Sequence, residues 1–401
     1  MKTKAFDLFA GCGGLSQGLV QAGIDVRWAN ENDRYAAASF QAAHSNTELF
    51  CEDANDLLKR LQRKDQDLPC PGDVDLVVGG PPCQGFSGFN RHRSPDDPRN
   101  SLVETFLGFV DHLCPRFVLM ENVPGLLSLS EGRIVQLLHE ALDTLGYTTQ
   151  LGILQAGNYG VPQSRWRVFI WAAYKGEQLP AFPDATHEFP AKTIFGATKF
   201  RECVIRPPKV REGLFWSLKP TVTVGDAIKG LPRIKNGGGA EEMQYSSSNE
   251  SEYQLLLRNG NETLLDHVTT HLSEIQYERC CAIPKRAGAG WLDLPQELKP
   301  NNLLRHGDDR YPNRFGRLHW DGTFNTILHR AEPYWGSVFH PTQNRVISVR
   351  ESARAQGFPD SFKFFGPLSK KYRQVGNAVP PPLSLALASE LVHSANSTVN
   401  S

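Results

Sequence analysis

Cys83 stands in the run Gly-Gly-Pro-Pro-Cys-Gln-Gly-Phe-Ser, residues 79–87. Two prolines fix the backbone just before the thiol, and glycines lie on both sides of Phe86. A cysteine that only fills core space needs no such frame, whereas a nucleophile held at a strand end does. A free thiol has a pKa of about 8.5, so a catalytic Cys83 needs a helix terminus or nearby cations to become a thiolate. Glu121 and Asn122 directly follow the apolar run Phe-Val-Leu-Met. A carboxylate there is costly if buried and unpaired, but at a strand end it can act as a proton donor with a raised pKa. Gln163, Arg165 and Arg167 precede and enter another apolar strand. Strand alternation puts both arginines on one side, where they can clamp a base edge, a sugar-phosphate or a developing negative charge. The plain alternatives are a structural cysteine in a tight turn and a surface ion pair.

A second group of residues suits a nucleoside. Asp-Leu-Phe-Ala-Gly-Cys-Gly-Gly-Leu-Ser, residues 7–16, brings glycines to a strand-to-helix turn, where backbone can approach a ligand without a Cβ in the way. Ser16 occupies the place of the third glycine of the dinucleotide pattern, which disfavours a nicotinamide cofactor. Glu31 lies about 20 residues past the glycines at the next strand end, where an acid accepts ribose hydroxyls, and Asp53 lies near a third strand end. A glycine turn with two acids suits a cofactor such as S-adenosylmethionine. A tight turn with two solvated carboxylates is the competing reading.

The elements that must hold these residues alternate. Strands are predicted at 4–9, 26–30, 74–79, 117–120, 148–154 and 167–172. Segments of helical period lie between them, the clearest at 134–145 with Ile134, Leu137, Leu138, Ala141, Leu142 and Leu145 on one face. That alternation specifies an α/β fold with a mostly parallel sheet and ligands at the carboxyl ends of its strands. From about residue 180 prolines and glycines become frequent, and 235–251 reads as a loop. The expected division is 1–188 for the catalytic and cofactor-binding domain, 189–345 for a second, irregular domain, and 346–401 for a segment returning to the first. Ser348 and Glu351 form a capping-box pattern, Gly357 is a helix stop, and the prolines at 380–382 open a last helix over 383–392.

Composition bounds the rest. The 401 residues are 40% hydrophobic and 21% charged, enough for a sizeable core and unlike a disordered chain. No run of about 18 apolar residues is present, so neither a membrane span nor a signal peptide is expected and an intracellular globular protein is. The eight cysteines include no C-x-x-C pair, which favours neither a metal site nor a disulfide framework. The formal net charge is zero, yet residues 1–150 carry 13 Lys+Arg against 20 Asp+Glu, and residues 151–401 carry 30 against 23. Such a split is compatible with a polyanion held mainly by the second half.

Taken in order, DLFAGCGGLS, GGPPCQGFS, MENV, QSRWR, RESARAQGFPD and GNAVPPPL resemble the DNA (cytosine-5) methyltransferase family. The resemblance covers the whole chain, and 189–345 matches the variable target-recognition segment. GILQAGNYGVPQSRWR, FGRLHWDGTFNTI and HPTQNRVISVRESARAQGFPD look like the maintenance-type eukaryotic catalytic domain, and the chain looks like such a core without the long regulatory region. The resemblance implies a Rossmann-like S-adenosyl-L-methionine-dependent methyltransferase sheet with a smaller target-recognition domain. It implies that a cytosine flipped out of double-stranded DNA is attacked at C6 by Cys83, with Glu121 at ring N3 and the amino group. Arg165 would support the flipped nucleotide and the catalytic frame, Arg167 would be partly structural, and Asn122 would fix the Cys83 loop. Cofactor contacts would fall to Phe9, Gly11, Gly14, Leu15, Glu31, Asn32 and Asp53, completed by Asn377 and Val379. Nucleic-acid contacts would fall to Gln84, Ser87, Arg91, Arg93, Gln163, Arg314 and Arg317, the last two in a run with Tyr311, Phe315, His319 and Trp320.

The resemblance also implies a nuclear location, or the cytoplasm in a bacterium, with chromatin-associated regulatory domains or proteins as further partners and no metal or membrane. One departure is visible: no Cys/His cluster of zinc spacing interrupts 189–345, as it does in some maintenance enzymes. The rivals are a tRNA cytosine-5 methyltransferase, whose Cys-Phe-Thr tripeptide is missing here, and a catalytically silent DNA-binding regulatory subunit, which would need no thiol. Amino-methyltransferases, with Asn/Asp-Pro-Pro before an aromatic, do not fit Cys83.

Overall fold

The computed structural model describes residues 2–82, 101–190, 197–206, 217–246, 251–305 and 311–399. The chain divides into two compact units: Met1–Tyr159 with Trp166–Pro220 and Val379–Ser401, and Gly160–Arg165 with Thr221–Ala378.

The first unit is built on one sheet. Its strands are β1 (Lys4–Leu8), β2 (Asp25–Asn30), β3 (Glu48–Phe50), β4 (Leu76–Gly79), β5 (Phe117–Asn122), β6 (Tyr147–Gln155) and β7 (Trp166–Tyr174). The order is β3-β2-β1-β4-β5-β7-β6. Pairs from β3 through β5 are parallel, and β7 runs antiparallel to both β5 and β6. Strands covered on both faces must be apolar throughout, which is why β4 reads Leu-Val-Val-Gly and why Phe6, Leu8, Val77, Val118 and Ile170 share one buried core with Phe106 and Phe109. Helices α1 (Gly14–Gln21), α2 (Arg34–Ala43), α3 (Ala54–Gln62), α4 (Ser101–Leu113) and α5 (Arg133–Thr144) alternate with the strands.

The C-terminal helix, Pro381–Val399, belongs to this unit and packs on α1. A Cβ on Gly18 would lie 2.4 Å from the Leu385 nitrogen, so only glycine permits this approach. Ser384 closes the contact by donating to the Leu15 carbonyl at 2.6 Å.

The second unit holds α6 (Val224–Ile228), β8 (Gly239–Gln244), α7 (Glu252–Arg258), β9 (Thr263–Val268), α8 (Glu274–Ala282), α9 (Asn301–Arg305), β10 (Gly316–Arg317), β11 (Ser337–Phe339), α10 (Val349–Ala355) and α11 (Leu368–Asn377). The run 235–251, read from sequence as a loop, carries β8, which pairs antiparallel with β9. Its charged composition conceals a strand that tertiary ion pairs hold: Lys371 reaches Glu241 at 2.7 Å and Lys363 reaches Glu242 at 3.2 Å.

The capping box of Ser348 and Glu351 is formed, and Gly357 follows α10 with φ of 81°, in the left-handed conformation that ends a helix. Helix α10 packs on α11, β9 and α6, and both α10 and α11 fall in the second unit.

What locks α10 in place is charge without water. Arg345 makes two 2.7 Å bonds to the Glu351 carboxylate, and Arg354 holds Asp360 at 2.9 and 2.5 Å; all four side chains are buried. Arg350 gives its guanidinium to the carbonyls of Leu265, Pro359 and Phe362. Burial alone would raise the carboxyl pKa of Glu351 and Asp360, but the facing guanidinium groups hold both below the usual carboxylate range. A depressed pKa contributes stability that is complete above the unfolded value near pH 4 and is lost as pH falls toward the folded one. Glu351→Gln strands the Arg345 charge and is expected to cost about 3–5 kcal/mol in denaturant unfolding at pH 7. Its deficit should shrink at pH 3, and an equal deficit at both values would contradict this account.

Candidate active site

The sheet order reverses at β1, whose chain neighbours β2 and β3 lie on one side and whose spatial neighbour β4 lies on the other. Ligands of open α/β sheets settle at the carboxyl ends flanking such a reversal. A Cβ on Gly79, at the end of β4, would lie 2.4 Å from the Leu8 carbonyl oxygen at the end of β1. The glycine turn after β1 and the Pro81-Pro82 turn after β4 therefore start side by side.

The turn after β1 is held open by backbone conformation. Phe9 has φ of 58°, a left-handed conformation costing a non-glycine residue about 1–2 kcal/mol, and Gly11 and Gly13 have φ of 58° and 93°. A Cβ built on Gly11 meets nothing within 4 Å, so open space lies over that residue. Glu31 accepts from the Gly11 N–H at 2.8 Å and the Asp33 N–H at 2.7 Å. Burial pushes its carboxyl up while those bonds pull it down. The Asn32 N–H acts on the same carboxylate, and of its about four acceptor positions these donors leave room for a ligand hydroxyl. Open glycine backbone beside such an acid fits the adenosyl end of S-adenosyl-L-methionine.

Leu15 is buried in the first turn of α1, and Asn32 is exposed beside Glu31. Asp53 is the exposed N-cap of α3, accepting from the Asn55 N–H at 2.8 Å. Asn377 ends α11 in the second unit with its side chain exposed, and Val379 is buried at the start of the first unit's last segment.

Three supporting residues escaped the sequence reading. Asn30 donates to the carbonyls of Phe50 and Glu52 and ties the ends of β2 and β3. His44 fills the place a Cβ on Gly13 would need and meets the Gly13 carbonyl at 3.3 Å; nothing in the sequence links it to the turn. Ser16 donates to buried Asp7 at 2.6 Å, which gives serine a reason to stand where a dinucleotide fold has glycine. The signal for Asp7 was there, as a lone acid inside the apolar run Ala-Phe-Asp-Leu-Phe.

Cys12 lies in the same turn, and burial pushes its thiol up to about 12, which removes it as a nucleophile. Cys83, Gln84, Ser87, Arg91 and Arg93 lie outside the described residues.

The frame leading to residue 83 is described. Asn122 donates its amide to the Pro81 carbonyl at 3.1 Å, tying the end of β5 to the turn that follows β4. Glu121, the preceding residue, pairs with the Arg167 Nε at 2.8 Å, and both side chains are about nine-tenths buried. The carboxylate lies against backbone: a Cβ on Gly80 would stand 2.9 Å from Glu121 Oε2. The cost of a buried carboxylate is thus met by a counter-charge from β7.

Arg165 and Arg167 take different partners. β7 begins at Trp166, so strand alternation does not extend to Arg165, which is fully buried in the second unit. It donates to the carbonyls of Ile327, Gly376 and Ala378 at 2.9–3.1 Å, a role in the frame.

Two residues expected to contact nucleic acid are buried. Gln163 is 0% exposed and spends its amide on the Ala355 carbonyl, the Gln356 side chain and the Ile327 N–H. Arg317 is 2% exposed and donates to the carbonyls of Cys280, Ile283, His340 and Gln343. Arg314 differs: it stacks at 4.5 Å on the rings of both Tyr311 and Tyr334, and Tyr311 and Trp335 are 40% and 39% exposed. Among the described residues no group of three His, Cys, Asp or Glu can hold a metal ion, and no helix is long and apolar enough to cross a membrane.

Burial lifts the Asp7 carboxyl to about 7. The stability Asp7 contributes is therefore complete below about pH 4 and lost as pH rises through 7. Asp7→Asn keeps an acceptor for Ser16 and removes the titration. In denaturant unfolding the variant should gain on the unsubstituted protein by about 2–3 kcal/mol between pH 5 and pH 8, and parallel curves would refute it.

The model of the C-5 cytosine-specific DNA methylases matches residues 3–393. DNA (cytosine-5)-methyltransferase 1A of Oryza sativa subsp. japonica is 39% identical over 438 residues, covering 96% of this chain and 28% of that protein. DNA (cytosine-5)-methyltransferase 1 of Gallus gallus is 37% identical over 458 residues, covering 97% and 30%. The chain thus spans less than a third of these relatives.

Among solved structures, an Escherichia coli prophage protein described as a DNA modification methyltransferase superposes with a TM-score of 0.69 at 25% identity, over 98% of this chain and all of that one. The S. pombe Dnmt2 methyltransferase shares the fold, with a TM-score of 0.55 at 16% identity over 98% and 100%. The match runs along nearly the whole length of the chain, which belongs to the C-5 cytosine-specific DNA methylase family, whose methyl donor is S-adenosyl-L-methionine.

Proposed function

We propose that this chain methylates carbon 5 of a cytosine flipped out of double-stranded DNA through a covalent intermediate on Cys83, with CpG maintenance specificity. The observation that carries the reading is the Glu121 carboxylate packed on Gly80 and paired with Arg167, one residue before the Asn122 that holds the Pro81 carbonyl. An acid and the turn that leads to the thiol are thereby braced against each other at adjacent strand ends.

S-adenosyl-L-methionine supplies an electrophilic methyl group. Cys83 adds as thiolate to C6 of the cytosine, and the C5–C6 pair of electrons becomes available at C5. Glu121 hydrogen-bonds N3 and the exocyclic amino group and so favours that addition, while Arg167 keeps the carboxylate aimed. Once C5 carries the methyl group it loses its proton, the C6–S bond breaks and the thiolate leaves. Phe9, Gly11, Gly14, Leu15, Glu31, Asn32, Asp53, Asn377 and Val379 serve the cofactor. Arg165 acts through the frame. The first unit carries the chemistry and the second the recognition of DNA, where Arg314 with its exposed aromatic neighbours suits phosphate contact and stacking.

Maintenance specificity rests on the motifs shared with the eukaryotic catalytic domains, as do a nuclear location and chromatin-associated partners. The prophage protein, matched along its whole length, favours a second reading in which the chain works in a bacterial cytoplasm.

The test is transfer of labelled methyl to matched unmethylated and hemimethylated duplexes, with tRNA alongside. Transfer to DNA should be lost in Cys83→Ala and fall about 10²–10⁴-fold in Glu121→Gln. A duplex with fluorine at C5 of the target cytosine should trap the protein covalently, because no proton can leave. Equal rates on both duplexes would sink the maintenance assignment, and transfer to tRNA alone would replace the substrate.

A further inference from the structure

A groove of about 970 Å³ opens on the second unit, and its lining includes Arg233, Lys235 and Lys285. All three side chains are exposed, and among the described residues none has a carboxylate partner. Elsewhere in the unit Arg286 pairs with Asp293, Lys363 with Glu242, Lys371 with Asp266 and Glu241, and Arg345 and Arg354 with buried acids. Glu274 is the acid on the lining.

The groove is also pre-built. Its walls are the 233–236 segment, the residues leading into and along α8, and the 342–344 turn, and side-chain bonds fix each to another. The Ile234 N–H donates to Gln343 Oε1 at 3.0 Å, and the Leu272 N–H donates to Asn236 Oδ1 at 3.0 Å. Arg317, from beneath, holds the carbonyls of Cys280 on α8 and of Gln343 at the turn, and it reaches Asn344 Oδ1 at 3.3 Å. Arg317, whose sequence context suggested a nucleic-acid contact, is thus buried and ties two walls of the groove together.

We infer that this groove seats the phosphodiester backbone of the DNA substrate, with Arg233, Lys235 and Lys285 as its phosphate contacts. The inference rests on the proposed function and adds a second contact region to the Arg314 cluster. Phosphate binding asks for cations and polar donors and carries no sequence information. An acidic protein segment would ask instead for buried aromatic or apolar anchors, and the lining offers Ile234, Leu272 and a half-exposed Tyr277. Two walls meet on helix α8, and its Gln276 bonds Glu332, the residue capping the turn that bears Tyr334 and Trp335. The groove and the aromatic cluster are thus supported by one helix.

The experiment compares the full-length chain with the triple variant Arg233→Gln, Lys235→Gln, Lys285→Gln in binding a fluorescent duplex across a series of KCl concentrations. Each phosphate contact contributes about 0.9 to the slope of log affinity against log salt. The variant should bind more weakly at low salt, and its slope should be smaller by about 3. Its affinity for S-adenosyl-L-methionine, measured separately, should equal that of the unsubstituted chain and shows that it is folded. An unchanged slope, in a chain that still methylates DNA, overturns the groove and leaves the proposed function standing. A chain that binds the cofactor and no duplex overturns both. If polyglutamate binding, and not duplex binding, is what the three substitutions abolish, the groove belongs to an acidic protein segment and the inference is overturned.

Discussion

The close approach of β1 and β4 is the constraint on which the first unit depends. With no Cβ at Gly79, backbone reaches the Leu8 carbonyl, and two turns of different chemistry start from neighbouring strand ends. One turn is left open over Gly11 and braced by Glu31. The other is pinned through Pro81 by Asn122 and followed by the thiol. Any larger residue at 79 would separate them, and the proposed mechanism tolerates little separation between the two turns. The strain at Phe9 belongs to the same arrangement, since the chain must leave β1 in a left-handed conformation to open the turn.

The second unit solves a different problem. It has short strands and short helices, and much of its interior is ionic. A buried ion pair adds little net stability over a well-packed apolar pair, but a misplaced one is severely penalised, so a network of this kind selects one arrangement of loops. Arg345, Arg350 and Arg354 recur every four or five residues; Arg345 faces Glu351 of α10, and the other two face acids and carbonyls from β9 and from the turn after α10. Here that specificity serves a surface built from turns, which regular elements alone would not fix.

The sequence was most legible where strands are continuous and apolar. The predicted strands fall within a residue or two of those observed, because a sheet buried on both faces leaves few polar positions to confuse the pattern. Ser348, Glu351 and Gly357 marked α10 correctly because capping is local chemistry. Strand β8 was not legible, since its pairing is secured by Lys371 and Lys363, more than 100 residues away. Arginine was the hardest residue to read. Its spacing in QSRWR and RYPNRFGRLHW suggested ligand contacts, yet Arg165 and Arg317 are buried and give their donors to main-chain carbonyls. Five donors in a planar fork suit an anion and a cluster of carbonyls equally, and only burial tells the two uses apart.

That ambiguity has a consequence for how recognition is built. An arginine that binds carbonyls in the interior holds several turns at once, as Arg317 does for α8 and the 342–344 turn. Cations that bind phosphate must be solvated in the unbound protein and lack competing carboxylates, as Arg233, Lys235 and Lys285 do among the described residues. The two kinds are needed together. Exposed cations on an unsupported loop would lose side-chain and backbone entropy on meeting DNA, and that loss would offset much of the counterion release that drives binding. With the loop order already fixed from below, the cost of ordering falls in the folding of the unit and not in the encounter. Charge in this unit therefore works at two depths, the buried layer setting the geometry that the exposed layer uses.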